Sequence, residues 1–393
     1  MPTVDGGQAK GLLPGVSAGE IDQELLNRQV KYMLDQGVNY FDTSPVYCQG
    51  RSETCLGIAL KASGYDRGSY LVATKLSNFN PLQYSLAACK RMLTNSLENL
   101  QTDYIDNYLL HAVGTGGFKI FSLRYLENGV LDWLCEMRAQ GKIRNLGFSY
   151  HGDPEVWEWC LAHHDKYKWD FAQIQMNYVD WRHAKEVNAR NQNAEYLYRG
   201  LANLKIPVVV MEPLLGGRLA QYNWALANEL KPLEPEAPLA KWALRFCGSH
   251  SGVMTVLSGM TFSAHIKDNV EVFSPLKPCT PHEFDALERA ATAYLTCDVV
   301  PCTGCQYCMP CPFGIDIPTL FAFRNEHLVK ENGLSGKRLL EAYAKALPEE
   351  LRRADHCTGC GQCQSHCPQM IDIAREIAAI DAVIDVAKAE AAR

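Results

Sequence analysis

Short apolar runs alternate with longer amphipathic segments along the chain as far as residue 257. Seven of these runs have the length and composition of buried strands: Val38–Phe41, Tyr70–Lys75, Tyr104–His111, Ile143–Ser149, Phe171–Met176, Ile206–Met211 and Val253–Leu257. Such a short, nearly continuous apolar run is typical of a strand that is covered on both faces.

Helical periodicity fills the segments between these runs. Ser17–Glu20 has the pattern of a capping box, and Gly37 is placed to end the helix that it opens. Further helices are predicted from about 52, over 82–100, over 130–139, from about 154, over 184–203 and over 238–246. Strands that alternate with helices predict a parallel sheet, so we expect an α/β (β/α)8 TIM barrel.

The strand count is seven rather than eight. Residues 1–16 contain no convincing strand, and Leu12–Val16 is a poor candidate because Pro14 and Gly15 lie inside it. The first strand of the barrel is therefore either missing or supplied by this irregular segment.

The chain changes character after the predicted barrel. Thr280–Glu283 reads as another helix start, and the helix extends to about Thr296. We therefore expect a barrel domain over 1–279, a junction helix over 280–296 and a cysteine-rich domain over 297–393. Isoleucines at 373, 377, 380 and 384 give the final segment one apolar stripe, which predicts a docked helix.

Composition narrows the function classes. The 393 residues are 47% hydrophobic and carry a net charge of -6, which argues weakly against a nucleic-acid partner. No apolar run reaches the ~18 residues that a membrane-spanning helix needs. The N-terminus shows no secretory signal, so we expect a cytoplasmic protein whose 16 cysteines are thiols or metal ligands.

Ionisable side chains close the first three predicted strands. Asp42 and Tyr47 follow the first strand, Lys75 ends the second and His111 ends the third. Active sites of parallel barrels lie at these carboxyl ends. A tyrosine hydroxyl has a pKa near ~10, which a neighbouring ammonium lowers. Each residue alone would be an ordinary structural residue, but the four together predict a proton-transfer site.

The motifs around these residues resemble the aldo-keto reductase signature. The matching segments are Phe41–Tyr47, Ser52–Gly57, Ala73–Lys75, Asp103–His111, Gly141–Arg144 and Gly147–Ser149. The resemblance implies hydride transfer between NAD(P)H and a small-molecule carbonyl or alcohol. It also implies that Tyr47 is the general acid/base, that Lys75 lowers its pKa, that Asp42 pairs with Lys75, and that His111 orients the substrate.

The resemblance covers roughly residues 18–275 and implies a set of nucleotide-binding positions. Ser149 and Gln173 match positions that bind the nicotinamide carboxamide, and Met211 stands where the family often has an aromatic residue. In the phosphate-binding loop, Gly259 and His265 replace the usual lysine and arginine, and Asn269 matches. Without those cations the sequence leaves NADP and NAD both open.

Two cysteine clusters follow the barrel. The second, Cys357, Cys360, Cys363 and Cys367 before a proline, has the C-x2-C-x2-C-x3-C-P spacing of bacterial ferredoxins. The first, Cys302, Cys305, Cys308 and Cys311, differs in having two residues before its last cysteine. Two such runs predict two [4Fe–4S] clusters, and four-cysteine zinc sites are the alternative.

In two-cluster ferredoxins the last cysteine of each run ligates the other cluster. On that pattern, Cys302, Cys305, Cys308 and Cys367 hold one cluster, and Cys357, Cys360, Cys363 and Cys311 hold the other. The intervening segment looks helical around Leu320–Phe323 and Leu339–Tyr343, so the domain resembles an α-helical ferredoxin.

Two functions remain open at the level of the sequence. The first is an iron–sulfur aldo-keto reductase in which the clusters transfer electrons or brace their domain. The second is an electron-transfer protein whose barrel is a scaffold or a flavin site. A hydride carries two electrons and a [4Fe–4S] cluster accepts one, so direct coupling would need an adaptor. A redox partner protein is a further candidate partner; neither nucleic acid nor a membrane is expected.

Overall fold

The computed structural model describes residues 1–4, 19–221, 223–304, 308–328, 333–348, 353–364, 367 and 371–392. Its contacts divide the chain into two compact units. Described residues of the first unit lie within 1–4, 19–215 and 223–295, and those of the second lie within 216–221 and 296–392.

The first unit is built on one parallel sheet of seven strands in sequential order. The strands are β1 (Tyr40–Asp42), β2 (Leu71–Leu76), β3 (Ile105–Val113), β4 (Ile143–Tyr150), β5 (Phe171–Gln175), β6 (Val208–Met211) and β7 (Val253–Val256). Each strand pairs in parallel with the next. The predicted barrel fold is thus confirmed with seven of the eight strands of a (β/α)8 barrel among the described residues, and the sheet is nearly closed. Ala73, Leu109, Phe171 and Val209 pack in its interior.

Helices follow the strands of this unit. They are α1 (Gln23–Asp35), α2 (Ser52–Ala62), α3 (Leu86–Asn99), α4 (Gly117–Phe121), α5 (Val130–Ala139), α6 (Pro154–Ala162), α7 (His164–Tyr167), α8 (Asp180–Val187), α9 (Ala194–Asn203), α10 (Trp224–Leu230), α11 (Leu239–Gly248), α12 (Ser263–Phe273) and α13 (Pro281–Thr296). Short 3₁₀ turns of the first unit occur at Tyr47–Gly50, Arg67–Ser69 and Pro81–Gln83. Those at Arg218–Ala220 and Ala354–His356 belong to the second unit.

Two helix predictions need correction. The cap of α1 is Asp22, whose carboxylate accepts from the Leu25 amide at 2.8 Å, and the predicted cap Ser17 lies outside the described residues. The predicted helix over 184–203 is broken between α8 and α9. The Asn193 side chain there accepts from the Ala184 amide at 3.1 Å, because asparagine side chains compete with the helix for main-chain donors.

The N-terminal residues contribute one isolated antiparallel bridge rather than a barrel strand. Thr3 pairs with Ile21, and the Val4 amide donates to the Glu20 carbonyl at 2.9 Å. The weak strand candidate Leu12–Val16 lies outside the described residues.

The second unit is helical. Its helices are α14 (Ile317–His327), α15 (Gly336–Ala346) and α16 (Ile373–Ala391). The predicted isoleucine stripe of α16 is buried at 373, 377, 380 and 384. Among the described residues, the cysteines that pack against its apolar core are Cys302, Cys308, Cys311, Cys357, Cys363 and Cys367. In the part of the chain that the structure describes, no helix is long and apolar enough to cross a membrane.

Candidate active site at the strand ends and candidate iron–sulfur ligands

The turn after β1 carries Tyr47 back toward the end of the barrel. The two residues that follow it, Cys48 and Gln49, have φ values of 50° and 55°. Left-handed main chain is unfavourable for residues with a Cβ and is concentrated at functional sites. This irregular turn places the Tyr47 ring beside the ends of β2 and β3.

A buried ion pair joins the ends of β1 and β2. The Lys75 ammonium is completely buried and lies 2.5 Å from an Asp42 carboxylate oxygen. It also donates to the Thr43 carbonyl at 2.8 Å. Burial lowers the pKa of Lys75, but Asp42 and Tyr47 raise it by more, so the net shift is upward. The predicted pairing of Asp42 with Lys75 is present, and the lysine is held as a cation.

Lys75 lies against the face of the tyrosine ring. Its ammonium is 4.8 Å from the Tyr47 ring centroid. Burial raises the pKa of Tyr47, while Lys75 lowers it by its charge and by hydrogen bonding. The cation acts in the predicted direction. The expectation of a lowered tyrosine pKa nevertheless needs correction, because burial outweighs Lys75 and the pKa stays above its ordinary value.

His111 faces the same tyrosine from the end of β3. The two rings meet edge to face, with centroids 5.9 Å apart. Its Nδ1 lies 2.6 Å from the Ser77 hydroxyl oxygen and 3.4 Å from that of Ser44. When Ser77 donates to Nδ1, the proton of the neutral ring is on Nε2. His111 can then donate a hydrogen bond to a ligand oxygen.

The environment of His111 keeps its imidazole neutral. Burial is the main cause of a pKa well below the usual value, and the electrostatic effects of Lys75, His151 and Arg124 lower it further. The lowered pKa favours the neutral ring, which can donate one hydrogen bond.

The structure adds two residues that the sequence reasoning missed. His151 directly follows β4, and its pKa is lowered to about 4 by the surrounding protein and then by Lys75. Glu212 follows β6 with a φ of 56°, and its charge raises the pKa of Tyr47. Both come just after an apolar run, which is the signal that identified His111.

The predicted carboxamide-binding positions lie on three adjacent strands. The buried Gln173 Oε1 has no hydrogen-bond partner among the described residues, and its amide nitrogen is 3.4 Å from Met211 Sδ. Ser149 Oγ accepts from the Ala112 amide at 2.9 Å. Gln173 thus offers a free acceptor for an amide N–H, whereas Ser149 already binds the neighbouring strand.

The predicted phosphate loop lies before and within α12. Asn269 donates to the Ser258 hydroxyl at 2.9 Å, and the His265 ring packs edge to face on Phe262 at 5.2 Å. Open space surrounds Gly259, with no neighbouring atom within 4 Å of a Cβ placed there. The first turn of α12 has no side-chain cap, and free helix N–H groups suit an anion.

The pKa of one thiol in the second unit responds to three others. Burial raises the pKa of Cys363, and the charges of Cys311, Cys357 and Cys360 raise it further. These four are the set expected to share one cluster. No group of three or more metal-ligating side chains within the described ranges has the geometry to hold a metal ion. Cys305, expected in the other set with Cys302, Cys308 and Cys367, lies outside the described residues.

A parallel barrel of alternating strands and helices, with polar side chains gathered at the carboxyl ends of the strands, has the architecture of a TIM-barrel enzyme. The model of the aldo/keto reductase family matches residues 11–291, and the chain belongs to this family. A 4Fe-4S dicluster domain model matches residues 301–373, so the chain is an aldo/keto reductase fused to an iron–sulfur domain.

Two curated relatives are about one quarter identical in sequence to this chain over the aligned residues. L-galactose dehydrogenase of Arabidopsis thaliana is 26% identical over 61% of this chain and 75% of its own. A probable voltage-gated potassium channel subunit beta of Oryza sativa subsp. japonica is 25% identical, over 65% of this chain and 83% of its own.

Solved structures agree on the fold. The holo form of an aldo-keto reductase from Bacillus halodurans has a TM-score of 0.55 and 27% identity, covering 69% of this chain and 89% of its own. An aldo-keto reductase from Klebsiella pneumoniae in complex with NADPH has a TM-score of 0.51 and 22% identity, over 67% and 85%.

Proposed function

We propose that the barrel interconverts a carbonyl and an alcohol by nicotinamide hydride transfer, with Tyr47 as the general acid/base. One observation carries this proposal: the fully buried Lys75 ammonium lies between the Asp42 carboxylate and the Tyr47 ring. A buried cation held against a tyrosine stabilises the phenolate that remains when the hydroxyl gives up its proton.

The four side chains would divide the proton chemistry. In the direction of reduction, Tyr47 gives its proton to the substrate oxygen, and Lys75 balances the resulting negative charge. Asp42 keeps Lys75 in place and charged at 2.5 Å. Neutral His111 donates from Nε2 to the same substrate oxygen and orients it. In the direction of oxidation, the phenolate takes the proton back.

The nucleotide would bind across the ends of β4 to β6. A bound nicotinamide nucleotide supplies or accepts the hydride. The free Oε1 of buried Gln173 fits the amide N–H of a nicotinamide carboxamide, and Ser149 and Met211 lie on the adjoining strands. The Klebsiella pneumoniae neighbour is in complex with NADPH, which supports a nicotinamide nucleotide here.

The two positions of the phosphate loop at which the family has lysine and arginine carry Gly259 and His265 here. Gly259 contributes no side chain, and His265 packs on Phe262. The uncapped first turn of α12 can receive a phosphate in either NADP or NAD, with Asn269 within the same helix. A comparison of the two dissociation constants would identify the preferred nucleotide.

The second unit would hold two [4Fe–4S] clusters. We assign Cys357, Cys360, Cys363 and Cys311 to one cluster, and the effects of Cys311, Cys357 and Cys360 on the pKa of Cys363 support the assignment. Cys302, Cys305, Cys308 and Cys367 would hold the other. Thiolates of this spacing supply the four ligands that each cluster requires. The clusters would transfer single electrons or stabilise their domain.

Replacement of Tyr47 by phenylalanine tests the proposed acid/base role. We expect Tyr47→Phe to lower kcat for NAD(P)H-dependent reduction of a carbonyl panel by about 10²–10⁴-fold. The dissociation constant of the nucleotide should stay near the wild-type value, because the hydroxyl acts on the substrate oxygen. Tyr70→Phe is the matched control, since Tyr70 is also buried but precedes β2 at the opposite end of the strand. Equal loss in both variants, or full activity in Tyr47→Phe, would contradict the proposal.

A further inference from the structure

A buried arginine lies directly behind His111. Arg124 is only 2% exposed, and within the described part of the chain no carboxylate lies within 4.0 Å of its guanidinium. A buried charge is costly unless it is paired or fully hydrogen-bonded. Arg124 meets this requirement through carbonyl acceptors rather than through a carboxylate, and those acceptors lie at the candidate site.

The Arg124 guanidinium donates hydrogen bonds to main-chain carbonyls at the end of β3. Its Nη2 donates to the His111 carbonyl at 2.6 Å, and its Nη1 donates to the Ala112 carbonyl at 3.4 Å. Its Nε donates to Asn78 Oδ1 at 3.2 Å, and the Asn78 amide in turn donates to the Arg124 carbonyl at 3.3 Å. The arginine thus joins the loop after β2 to the end of β3.

The segment that Arg124 holds is irregular. Ala112 has a φ of 54°, and the register of β3 against β4 shifts between Leu110 and Val113. Bulges of this kind redirect side chains next to active sites. The His111 and Ala112 carbonyls, which lie in this irregular segment, accept hydrogen bonds from Arg124. The arginine and the bulge together therefore set the direction of the His111 side chain.

The arginine itself lies on an unusual helical turn. Glu127 N donates to the Ser122 carbonyl at 3.0 Å, an i to i+5 bond that widens the turn over Ser122–Leu126. Wide turns of this type occur frequently at functional sites. The wide turn brings the guanidinium 5.1 Å from the Phe79 ring centroid, and Phe79 lies 4.9 Å from the His111 ring.

We infer that Arg124 is a positioning residue, which fixes the main chain at His111 by its hydrogen bonds to the His111 and Ala112 carbonyls and brings a positive charge to this end of β3. The inference rests on the proposed role of His111 as a neutral donor to the substrate oxygen. Charged and titratable groups face this imidazole from several elements: Lys75 from β2, Tyr47 from the turn after β1, His151 from the end of β4, and Arg124.

The histidine ring itself gives a readout that does not depend on activity. Two-dimensional ¹H–¹⁵N spectra of histidine-labelled full-length protein report the tautomer and titration of each ring. His111→Gln identifies the His111 signal. In the wild type we expect a neutral ring protonated on Nε2. In Arg124→Gln, which removes the charge but keeps a donor, the His111 titration should move to higher pH.

Two further variants separate charge from hydrogen bonding. Arg124→Lys keeps the charge, so the His111 titration should stay at the wild-type position. Tyr125→Phe is the matched control, because the Tyr125 hydroxyl donates to the same His111 carbonyl at 3.2 Å without carrying a charge. It should also leave the titration in place. Arg124→Met serves as a second neutral variant if Arg124→Gln does not fold.

A wild-type titration of His111 in either neutral variant would overturn the inference, as would an equal shift in Tyr125→Phe. Kinetics add a second test. The neutral variants should lose kcat by about 10–100-fold, because a small misplacement of a catalytic group is costly, while nucleotide binding is unchanged. If the protein has no carbonyl reductase activity, the proposed function fails, but the titration still decides the role of Arg124.

Discussion

At the scale of single residues, burial shifts the pKa values of Tyr47 and His111 in opposite directions. Burial raises the pKa of Tyr47 and lowers the pKa of His111, so both groups favour their neutral forms. Lys75 opposes the shift at Tyr47 and reinforces the one at His111. The same buried ammonium therefore favours loss of the tyrosine proton and prevents protonation of the histidine. A proton donor and a neutral hydrogen-bond donor can thus act on one substrate oxygen.

The lowered pKa of His111 predicts how stability depends on pH. Below about pH 6.5 the unfolded imidazole binds a proton that the folded one still excludes. The unfolded state then holds more protons, so the free energy of unfolding falls as the pH falls. The contribution of one such group has a slope of up to about 1.4 kcal/mol per pH unit.

Replacement of His111 should weaken the dependence of the free energy of unfolding on pH below about pH 6.5. In His111→Gln we expect the free energy of unfolding to fall less steeply below pH 6.5 than in the wild type, measured by urea unfolding at a series of pH values. His151 and His250, whose pKa values are also lowered, would account for part of the slope that remains. Identical slopes in the two proteins would show that the folded state does not exclude the proton from His111.

At the scale of elements, one glycine of the recognised motif has a packing role. Gly57 lies inside α2, and a Cβ added there would come within 2.5 Å of the Asn99 carbonyl oxygen and 2.9 Å of Leu100 main-chain atoms. The helix packs against the end of α3 at a distance that only glycine permits. This contact holds α2 next to the turn that carries Tyr47.

Alanine at Gly57 should therefore destabilise the protein. Alanine normally stabilises a helix interior by about 1 kcal/mol relative to glycine. Overpacking against main-chain atoms costs typically 1–3 kcal/mol, and we expect this cost to decide the sign in Gly57→Ala. Gly68→Ala is the matched control, because nothing lies within 4 Å of a Cβ there. Denaturant unfolding would contradict the account if Gly57→Ala were as stable as the control.

Much of the element pattern could be predicted from the sequence. The seven apolar runs each became a strand, because a strand covered on both faces needs continuous apolar residues. Asp42, Lys75 and His111 could be located because they end such runs. The break between α8 and α9 could not, because local asparagine hydrogen bonds replaced the helix there.

Other parts of the site depend on tertiary structure that a local pattern does not contain. The net direction of the Tyr47 pKa shift depends on whether burial, which raises the pKa, outweighs Lys75, which lowers it. Only the folded structure determines how deeply Tyr47 is buried and how close Lys75 lies. Arg124 follows His111 by thirteen positions and reaches it through an irregular turn, so no spacing rule identifies it. His151 carried a usable signal, since it follows β4 directly.

At the scale of the whole molecule, the chain joins an aldo/keto reductase barrel to an iron–sulfur domain. The barrel belongs to a family of oxidoreductases, and the second unit matches a 4Fe-4S dicluster domain. Nicotinamide nucleotides exchange electron pairs as hydride, whereas iron–sulfur clusters exchange single electrons. The proposed proton donor at Tyr47 serves only the first kind. We therefore expect the two chemistries to run separately in the absence of an adaptor such as a flavin.

Spectroscopy of the intact protein tests this separation. Anaerobically purified protein should contain about eight irons per chain if it holds two [4Fe–4S] clusters. Addition of NAD(P)H alone should leave the EPR spectrum of the clusters unchanged, while dithionite reduces them and carbonyl reduction continues. Reduction of the clusters within a turnover time after NAD(P)H addition would show instead that the barrel holds an adaptor.

Direct hydride transfer is the central claim, and isotope labelling measures it. The intact protein would be incubated with a carbonyl panel and NADPH or NADH carrying deuterium at the transferable C4 position. We predict deuterium on the carbinol carbon of the product alcohol, with label transfer strongly reduced in Tyr47→Phe. Product formation without deuterium on that carbon, or tight nucleotide binding with no transfer to any carbonyl, would contradict the account.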